Sequence, residues 1–238
     1  ALDADIAKRL RKVLEKKGVE FYMQSAVKKI ADGCVSFERK GKVLSVEADK
    51  VLMAVGRKRN VEGYGLENTS IQYDQRGIVV DDNMLTNVNG VYAIGDVNAR
   101  MMLAHAATMQ GLHVVNHIIG ESDVIDLNIM PAAIFTNPEA ACVGKTEEQL
   151  KAEGVEVEVR KKNYRTNGRA LAMAEAEGMI KLVADANSGA ILSCHAYGSH
   201  SADIVQEISA LMCRKTTLKQ LHEMVHIHPT LNEMLQEI

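Results

Sequence analysis

The spacing of apolar residues predicts a helix and then short strands in the first quarter of the chain. Apolar side chains from Leu2 to Leu14 recur every three or four residues, as on one helix face, and Gly18 is a suitable helix end. Strands are expected at residues 19–22, 34–38 and 43–46, the last two as a hairpin. Residues 51–55 are continuously apolar, which predicts a strand buried on both faces. The pattern is typical of the latter half of an α/β unit.

Residues 57–126 are predicted to contain more loop, with one strand that ends at an acidic side chain. A turn is expected at residues 74–77 and a short strand at 78–80. The apolar run from Gly90 ends at Asp96, and a helix is then predicted from about Met102 to Ile119. Open parallel sheets bind ligands at the carboxyl ends of their strands. Asp96 is therefore a candidate to bind ribose or polyol hydroxyls; the alternative is an ordinary cap or turn residue.

From about residue 129 the pattern changes to paired strands followed by helices. Strands are predicted at 131–136, 155–159, 180–184 and 190–195, with a five-residue hairpin joining the last two. Thr146 and Gln149 fit a capping box that opens a short helix. Helices are predicted at 202–214 and 217–224. The predicted fold class is therefore α/β for the first half of the chain and α+β for the second.

Composition places the chain among ordinary globular proteins. Apolar residues make up 47% of it and charged residues 25%, and the net charge of −3 gives no indication of nucleic-acid or membrane binding. No apolar run is long enough to cross a membrane, and no signal peptide precedes Leu2. The chain begins without Met and almost directly in a helix. We expect it to be a piece of a longer protein.

The cysteines are candidates for a redox site, and three histidines, His222, His226 and His228, are candidates for a metal site. No C-x-x-C or C-x₄-C pair occurs, and the neighbours of each cysteine are apolar, which predicts buried free thiols in a reducing cytoplasm. The four cysteines are Cys34, Cys142, Cys194 and Cys213. His222 and His226 lie one helical turn apart, but no Cys or Asp cluster accompanies them. We therefore expect no metal site and a cytoplasmic protein.

The most informative stretch is the run from His226 to Glu233. Pro229 disfavours helical backbone at His228 and permits a cis peptide bond. A histidine on a rigid bend, with a carboxylate near enough to fix its tautomer, has the geometry of a general acid/base. The same residues also fit a helix capping box, in which Glu233 is purely structural. Both readings are open on the residues alone.

The motif His-x-His-Pro-Thr-Leu-x-Glu resembles the C-terminal motif of the flavin-dependent disulfide oxidoreductases. The resemblance implies that His228 is the acid/base, that Glu233 orients it, and that the His228–Pro229 peptide is cis. It also implies a homodimer, because in this family the histidine serves the active site of the partner subunit. The segment from Pro131 to Gly144 resembles the opening of the dimerisation domain of the same family.

Two other runs resemble cofactor-binding motifs of this family. Gly-Val-Tyr-Ala-Ile-Gly-Asp, followed by Met-Leu-Ala-His-Ala-Ala, is similar to its second FAD motif. The implied FAD contacts are Asp96, Met102, Leu103, Ala104 and His105, the last mainly through its backbone. The resemblance also implies NAD contacts at Gly56 and Val27. The alternative for both residues is a purely structural role, since a glycine after a strand is normally a turn residue.

The resemblance divides the chain into three parts: residues 1–58 as the end of an NAD-binding domain, 59–126 as the returning segment of an FAD-binding domain, and 127–238 as the dimerisation domain. Its implied activity is oxidation of dihydrolipoamide on the lipoyl domain of a 2-oxo acid dehydrogenase or glycine cleavage complex, with electrons passing through a redox disulfide and FAD to NAD⁺. Alternatives are a glutathione-type reductase and an inactive dimerisation fragment. Lacking the redox cysteine pair and any G-x-G-x-x-G run, the chain alone is expected to be inactive and to bind neither cofactor tightly.

Overall fold

The computed structural model describes residues 2–238, which form two compact units. The smaller unit contains residues 11–58, and the larger combines the residues up to Leu10 with residues 59–238. In chain order the helices and strands are α1 (Ala4–Lys16), β1 (Ser25–Ala31), β2 (Cys34–Arg39), β3 (Lys42–Glu47), β4 (Tyr73–Asp74), β5 (Gly77–Ile78), α2 (Ala104–Ile119), β6 (Ala132–Ile134), β7 (Ala140–Gly144), α3 (Glu147–Ala152), β8 (Val157–Asn163), α4 (Gly168–Ala172), β9 (Met179–Asp185), β10 (Ile191–Tyr197), α5 (Ser201–Met212) and α6 (Leu218–His222).

The smaller unit is built on a three-stranded antiparallel sheet in the order β1-β2-β3. Phe37 lies at its centre, opposite Val27 on one side and Leu44 on the other. The Phe37 ring is buried and packs against Tyr22, with ring centroids 4.9 Å apart. The predicted β2–β3 hairpin is confirmed. The strand predicted at residues 19–22 is wrong, because the first strand begins only at Ser25.

Residues 51–55 do not form the buried strand that their apolar run predicts. They have no regular secondary structure, and Leu52 and Val55 are 89% and 88% exposed. A strand buried on both faces needs neighbouring strands and covering layers. Within this unit, β1, β2 and β3 pair only with one another. The apolar run therefore lacks a sheet to join and remains in solvent.

Residues 59–126 contain little sheet. The strand predicted to run from Gly90 to Asp96 is wrong: only Tyr92 makes a single antiparallel bridge, to Leu85, before a 3₁₀ turn over Gly95–Asn98. The strand predicted at 78–80 corresponds to β5, which covers only Gly77–Ile78 and pairs with β4. Helix α2 agrees closely with its prediction and ends at Gly120, whose φ of 73° is a conformation that glycine adopts without strain.

The C-terminal part is organised around a five-stranded antiparallel sheet in the order β6-β7-β10-β9-β8. Strands β9 and β10 lie near its middle and are almost entirely buried, and α5 packs against β7 and β10. The predicted hairpin, the Thr146 capping box and the two helices are confirmed, with ends shifted by a few residues. Within residues 2–238, no helix is both long enough and apolar enough to span a bilayer.

A buried lysine ties the start of the chain to this sheet. Lys181, on β9, is 2% exposed. Its Nζ lies 2.8 Å from Asp3 Oδ1, 2.7 Å from Glu147 Oε2 and 3.1 Å from Asp5 Oδ2. Burial lowers the pKa of Lys181, but hydrogen bonds to Asp3, Glu147 and Asp5 outweigh it, so the net shift is upward. The amine is therefore charged and balanced by carboxylates.

The same contacts make this attachment sensitive to acid. Hydrogen bonds from Lys161 and then Lys181 lower the pKa of Asp5 from 3.8 to about 2, and those from Lys151 and Lys181 lower that of Glu147. Carboxyl groups with depressed pKa values stabilise the folded state above their unfolded pKa. That stabilisation is lost as the pH falls through the lowered values, between about 4 and 2.

Replacing the buried lysine should destabilise the larger unit strongly. Lys181→Met leaves the carboxylate of Asp3 buried without a counter-charge, so we expect the free energy of unfolding to fall by about 3–5 kcal/mol. Lys161→Met is the matched control, since it removes a pair in which both side chains are exposed and should cost less than about 1 kcal/mol. Urea denaturation followed by circular dichroism measures both; equal losses would contradict the account.

Candidate active site and cofactor-binding segments

The bend that follows α6 presents a histidine–carboxylate pair. The His228–Pro229 peptide is cis, as expected. His228 Nδ1 lies 2.7 Å from Glu233 Oε2, the carboxylate side chain being 14% exposed and the imidazole 81% exposed. Because Nδ1 faces the carboxylate, that nitrogen carries the proton and Nε2 faces outward with a free lone pair. The pair can therefore accept a proton from an incoming group and return it.

The two interpretations of Glu233 are distinguished by its hydrogen bonds. Thr230 Oγ1 accepts a hydrogen bond from the Glu233 backbone N–H at 3.3 Å, which is one half of a capping box. The carboxylate does not close the other half, because it accepts hydrogen bonds from His228 and from Asn167 Nδ2, the latter at 3.1 Å. The residues that follow form a 3₁₀ turn, Asn232–Leu235, rather than the predicted helix.

A second acidic residue holds both sides of the bend. Glu207, on α5, accepts a hydrogen bond from His226 Nε2 at 3.0 Å and another from Asn232 Nδ2 at 2.6 Å. His222 instead donates to the carbonyl oxygen of Ile238 at 2.9 Å. His222 and His226 therefore have separate partners. In the described part of the chain, no three His, Cys, Asp or Glu side chains are grouped as metal ligands.

Sequence reasoning missed Asn167 and Glu207. Asn167 lies 63 residues before Thr230 and 66 before Glu233 in the chain and precedes a helix of only five residues, so no local motif connects it with His228. Glu207 lies on α5 among residues whose spacing indicates only an amphipathic helix. Neither residue carries a local sequence signal for the site.

The turn that carries Asp96 is fixed by a buried amide network. Gln110 Oε1 accepts hydrogen bonds from the Gly95 backbone N–H at 2.8 Å and from Asn98 Nδ2 at 3.0 Å. Asn98 also donates to the Ala93 carbonyl at 2.9 Å. Gln110 and Asn98 are buried, whereas Asp96 is exposed. The turn is therefore held against α2 with the Asp96 carboxylate in solvent.

The start of α2 lacks a side-chain cap. Its N-cap residue is Leu103, which offers no hydrogen bond to the first turn, so backbone N–H groups there are available to a ligand. Met102 and Leu103 are partly buried, while Ala104 and His105 are exposed. His105 Nε2 donates to the carbonyl oxygen of Pro131 at 2.8 Å. The His105 side chain is thus already engaged within the protein.

The two positions proposed for NAD lie in the smaller unit. Val27, on β1, is 60% exposed. Gly56 follows the irregular apolar run with a φ of 112°, and a Cβ built on it would meet no atom within 4 Å. Both positions are therefore open to solvent in this unit, and neither is enclosed by it.

All four cysteines are free. Burial raises the pKa of the Cys194 thiol, and burial also raises that of Cys142, so both are poor nucleophiles. The expectation that every cysteine is buried is wrong for Cys213, which follows the end of α5 and is exposed.

Comparison with known proteins assigns the class. Residues 1–111 match the family model described as pyridine nucleotide-disulphide oxidoreductase, and residues 130–238 match the model of the dimerisation domain of the same proteins. The chain belongs to the pyridine nucleotide-disulphide oxidoreductase family.

Several curated relatives are similar to the chain over almost its whole length. The chain is 37% identical over 243 residues to the dihydrolipoyl dehydrogenase of Cupriavidus necator, covering 100% of this chain and 51% of that protein. It is 35% identical over 242 residues to the enzyme of the same name from Bacillus subtilis, covering 99% and 51%. A leghemoglobin reductase of Glycine max is also 35% identical, over 99% of this chain and 46% of that protein. The chain spans about half the length of these relatives.

Solved structures confirm the fold class. LpdA of Mycobacterium tuberculosis superposes with a TM-score of 0.88 at 26% identity, covering 100% of this chain and 52% of the other. The flavoprotein disulfide reductase RclA of Escherichia coli shares the fold, with a TM-score of 0.86 at 23% identity over 100% of this chain and 55% of the other. The predicted combination of partial dinucleotide-binding segments with an α+β dimerisation domain is therefore confirmed.

Removing the Gln110 amide should loosen the Asp96 turn. Gln110→Ala leaves the Gly95 N–H and the Asn98 amide buried without their acceptor, and we expect a loss of about 1–3 kcal/mol in unfolding free energy. Hydrogen exchange of the Gly95 backbone amide should become faster in the same variant. Thr108→Ala, an exposed position on the same helix, should change the stability by less than about 0.5 kcal/mol. Unchanged exchange at Gly95 in the Gln110 variant would refute the role of the network.

Proposed function

We propose that the chain is the C-terminal half of a dihydrolipoyl dehydrogenase, in which His228 is the acid/base and Glu233 orients it. The observation that carries the proposal is the 2.7 Å contact between His228 Nδ1 and Glu233 Oε2, on a His-Pro bend within the dimerisation-domain region. The names of the relatives support dihydrolipoamide as the substrate. The implied overall reaction transfers two electrons from the dithiol to NAD⁺ and releases one proton.

The role of His228 follows from thiol chemistry. A thiolate attacks a disulfide, whereas the protonated thiol does not. His228 Nε2 takes the proton from a substrate thiol, while Glu233 keeps the other ring nitrogen protonated and balances the charge that the ring acquires. Oxidation of the dithiol to the substrate disulfide would pass its electron pair to a redox disulfide of the longer protein, which becomes the enzyme dithiol. Bound FAD supplies the two-electron relay between that enzyme dithiol and NAD⁺.

The proposal also includes the cofactor contacts of the longer protein. The exposed Asp96 carboxylate can accept hydrogen bonds from the hydroxyls of FAD. The free backbone N–H groups in the first turn of α2 can face the electron-rich flavin ring, which would lie near Met102, Leu103, Ala104 and His105. Gly56 and Val27 are assigned to NAD by family resemblance, and their exposure is compatible with it. The assigned parts are residues 1–58 for NAD, 59–126 for FAD and 127–238 for dimerisation.

A homodimer is proposed because the catalytic bend is unusually open. His228 has an 81% exposed side chain, and Val225 and Ile227 beside it are 96% and 79% exposed. Apolar side chains in such positions are typical of a surface that another subunit covers. The proposed partners are a second copy of the chain and the lipoyl domain of a 2-oxo acid dehydrogenase or glycine cleavage complex, in the cytoplasm.

Two alternative functions can be distinguished from the proposed one by experiment. A glutathione-type reductase would use the same pair on another disulfide, and substrate assays of the longer protein distinguish the two. The second alternative is a catalytically inactive dimerisation fragment. The reading frame upstream of Ala1 decides between the fragment and the enzyme.

Replacing the proposed acid/base should reduce turnover without unfolding the protein. In the longer protein, we expect His228→Gln to lower kcat with dihydrolipoamide by about 10²–10⁴-fold, the usual contribution of a general acid/base. His113→Gln is the matched control: it removes another histidine–carboxylate pair, with His113 Nδ1 2.9 Å from Asp123, and should retain turnover. Steady-state NAD⁺ reduction measures both. Normal kcat in the His228 variant would exclude the proposed role.

The chain by itself should not retain flavin. The 238 residues contain no G-x-G-x-x-G run, the glycine-rich turn that binds a dinucleotide pyrophosphate. We expect the purified 238-residue chain to elute from gel filtration without flavin absorbance and to show no NAD⁺ reduction. A flavin spectrum that remains with the protein peak would contradict this expectation.

A further inference from the structure

The second oxygen of the Glu233 carboxylate is held by a buried side chain from a distant part of the sequence. Asn167 is 3% exposed, and its Nδ2 lies 3.1 Å from Glu233 Oε1 and 3.0 Å from the carbonyl oxygen of Thr230. One amide group thus binds both the carboxylate and the backbone of the bend. We infer that Asn167 is a positioning residue for the His228–Glu233 pair, an inference that rests on the function proposed above.

The orientation of the Asn167 amide is determined by its third contact. Oδ1 accepts a hydrogen bond from the backbone N–H of Ala170 at 2.9 Å, which caps helix α4. An amide side chain has one acceptor oxygen and two N–H donors. Because the oxygen faces Ala170, both donors face the bend, one toward Glu233 and one toward Thr230. Asn167 therefore presents a donor to Glu233 in only one orientation.

This donor determines which way the carboxylate faces. With Oε1 bound to Asn167, Oε2 is directed at His228 Nδ1, 2.7 Å away. Without it, Oε1 of a side chain that is only 14% exposed would lack a partner, and the carboxylate would turn to find one. The imidazole would then lose the bond that keeps its proton on Nδ1. Asn167 acts on His228 through Glu233 and not by direct contact.

The backbone that carries Asn167 is itself firmly held. Tyr164, three residues earlier, is fully buried, and its hydroxyl donates to the Ser199 carbonyl at 2.9 Å. Its ring lies against Gly178 and Gly198, where an added Cβ would approach ring atoms to 2.6 Å and 2.7 Å. The Tyr164 ring is therefore packed between two glycines, with no room for a side chain at either position. An amide presented from such a base can fix a partner within a few tenths of an ångström.

Two substitutions separate a positioning role from a purely structural one. Asp and Ser cap helices about as well as Asn, so Asn167→Asp and Asn167→Ser keep the cap on α4. Both remove the N–H donors to Glu233 and to the Thr230 carbonyl, and Asn167→Asp also places a like charge beside Glu233. If Asn167 matters only as a cap, both variants should behave as wild type. Thr166→Ala is the matched control, since Thr166 donates to the Asn163 carbonyl in the same turn and does not contact Glu233.

The tautomer of His228 is the readout, because it reports on the Glu233 contact and can be measured in this chain. ¹⁵N NMR of the imidazole above its titration range should show the proton on Nδ1 in wild type and Thr166→Ala. Glu233→Ala provides the reference for loss of the contact. We expect Asn167→Asp and Asn167→Ser to shift the tautomer toward this reference. A wild-type tautomer in both, while Glu233→Ala shifts it, would overturn the inference.

Turnover of the longer protein gives an independent check. Loss of an outer hydrogen-bond partner of a metal-bound histidine costs about 10- to 100-fold, and by analogy we expect kcat to fall by a factor of that size in both Asn167 variants. If His228→Gln leaves kcat unchanged, the proposed function fails, whereas the tautomer shifts still test the positioning. If His228→Gln is inactive but both Asn167 variants keep the wild-type kcat and tautomer, only the positioning inference fails.

Discussion

Burial of the central strands β9 and β10 is the constraint on which the larger unit depends. Because both faces of these strands are covered, the charge of Lys181 must be compensated inside the protein, and Asp3, Asp5 and Glu147 provide the compensation. The N-terminal residues are thereby attached to the sheet. The close approach of Tyr164 to the glycines at the strand ends likewise fixes the turn that precedes Asn167.

The bend that carries His228 and Glu233 takes its rigidity from this packed part of the larger unit. Asn167 binds Glu233, Glu207 binds His226 and Asn232, and the final 3₁₀ turn buries Met234 and Leu235. These contacts come from three separate parts of the chain. They hold the His228 imidazole at the surface, with its side chain 81% exposed. An exposed acid/base on a rigid support is suited to act on a substrate that another surface presents.

The sequence predicted those parts of the fold whose stabilising contacts are local. The β9–β10 hairpin, the Thr146 capping box and helix α2 each depend on neighbours within a few residues, and all three are present. Residues 51–55 and the run before Asp96 were predicted as strands and are not, since a strand exists only if another strand pairs with it. The geometry of the His228–Glu233 pair was foreseeable from the His-Pro motif. Asn167 was not, because its contact with the bend depends on tertiary structure.

In the proposed function, His228 completes the redox site of the partner subunit. Mixed dimers of the longer protein test it directly. One variant of the longer protein carries His228→Gln and a second variant lacks the redox cysteines, so the homodimer of each variant is expected to be inactive. If the site is shared between subunits, dimers that combine the two contain one intact site and should regain NAD⁺ reduction with dihydrolipoamide. Mixed dimers that form but remain inactive would contradict the account.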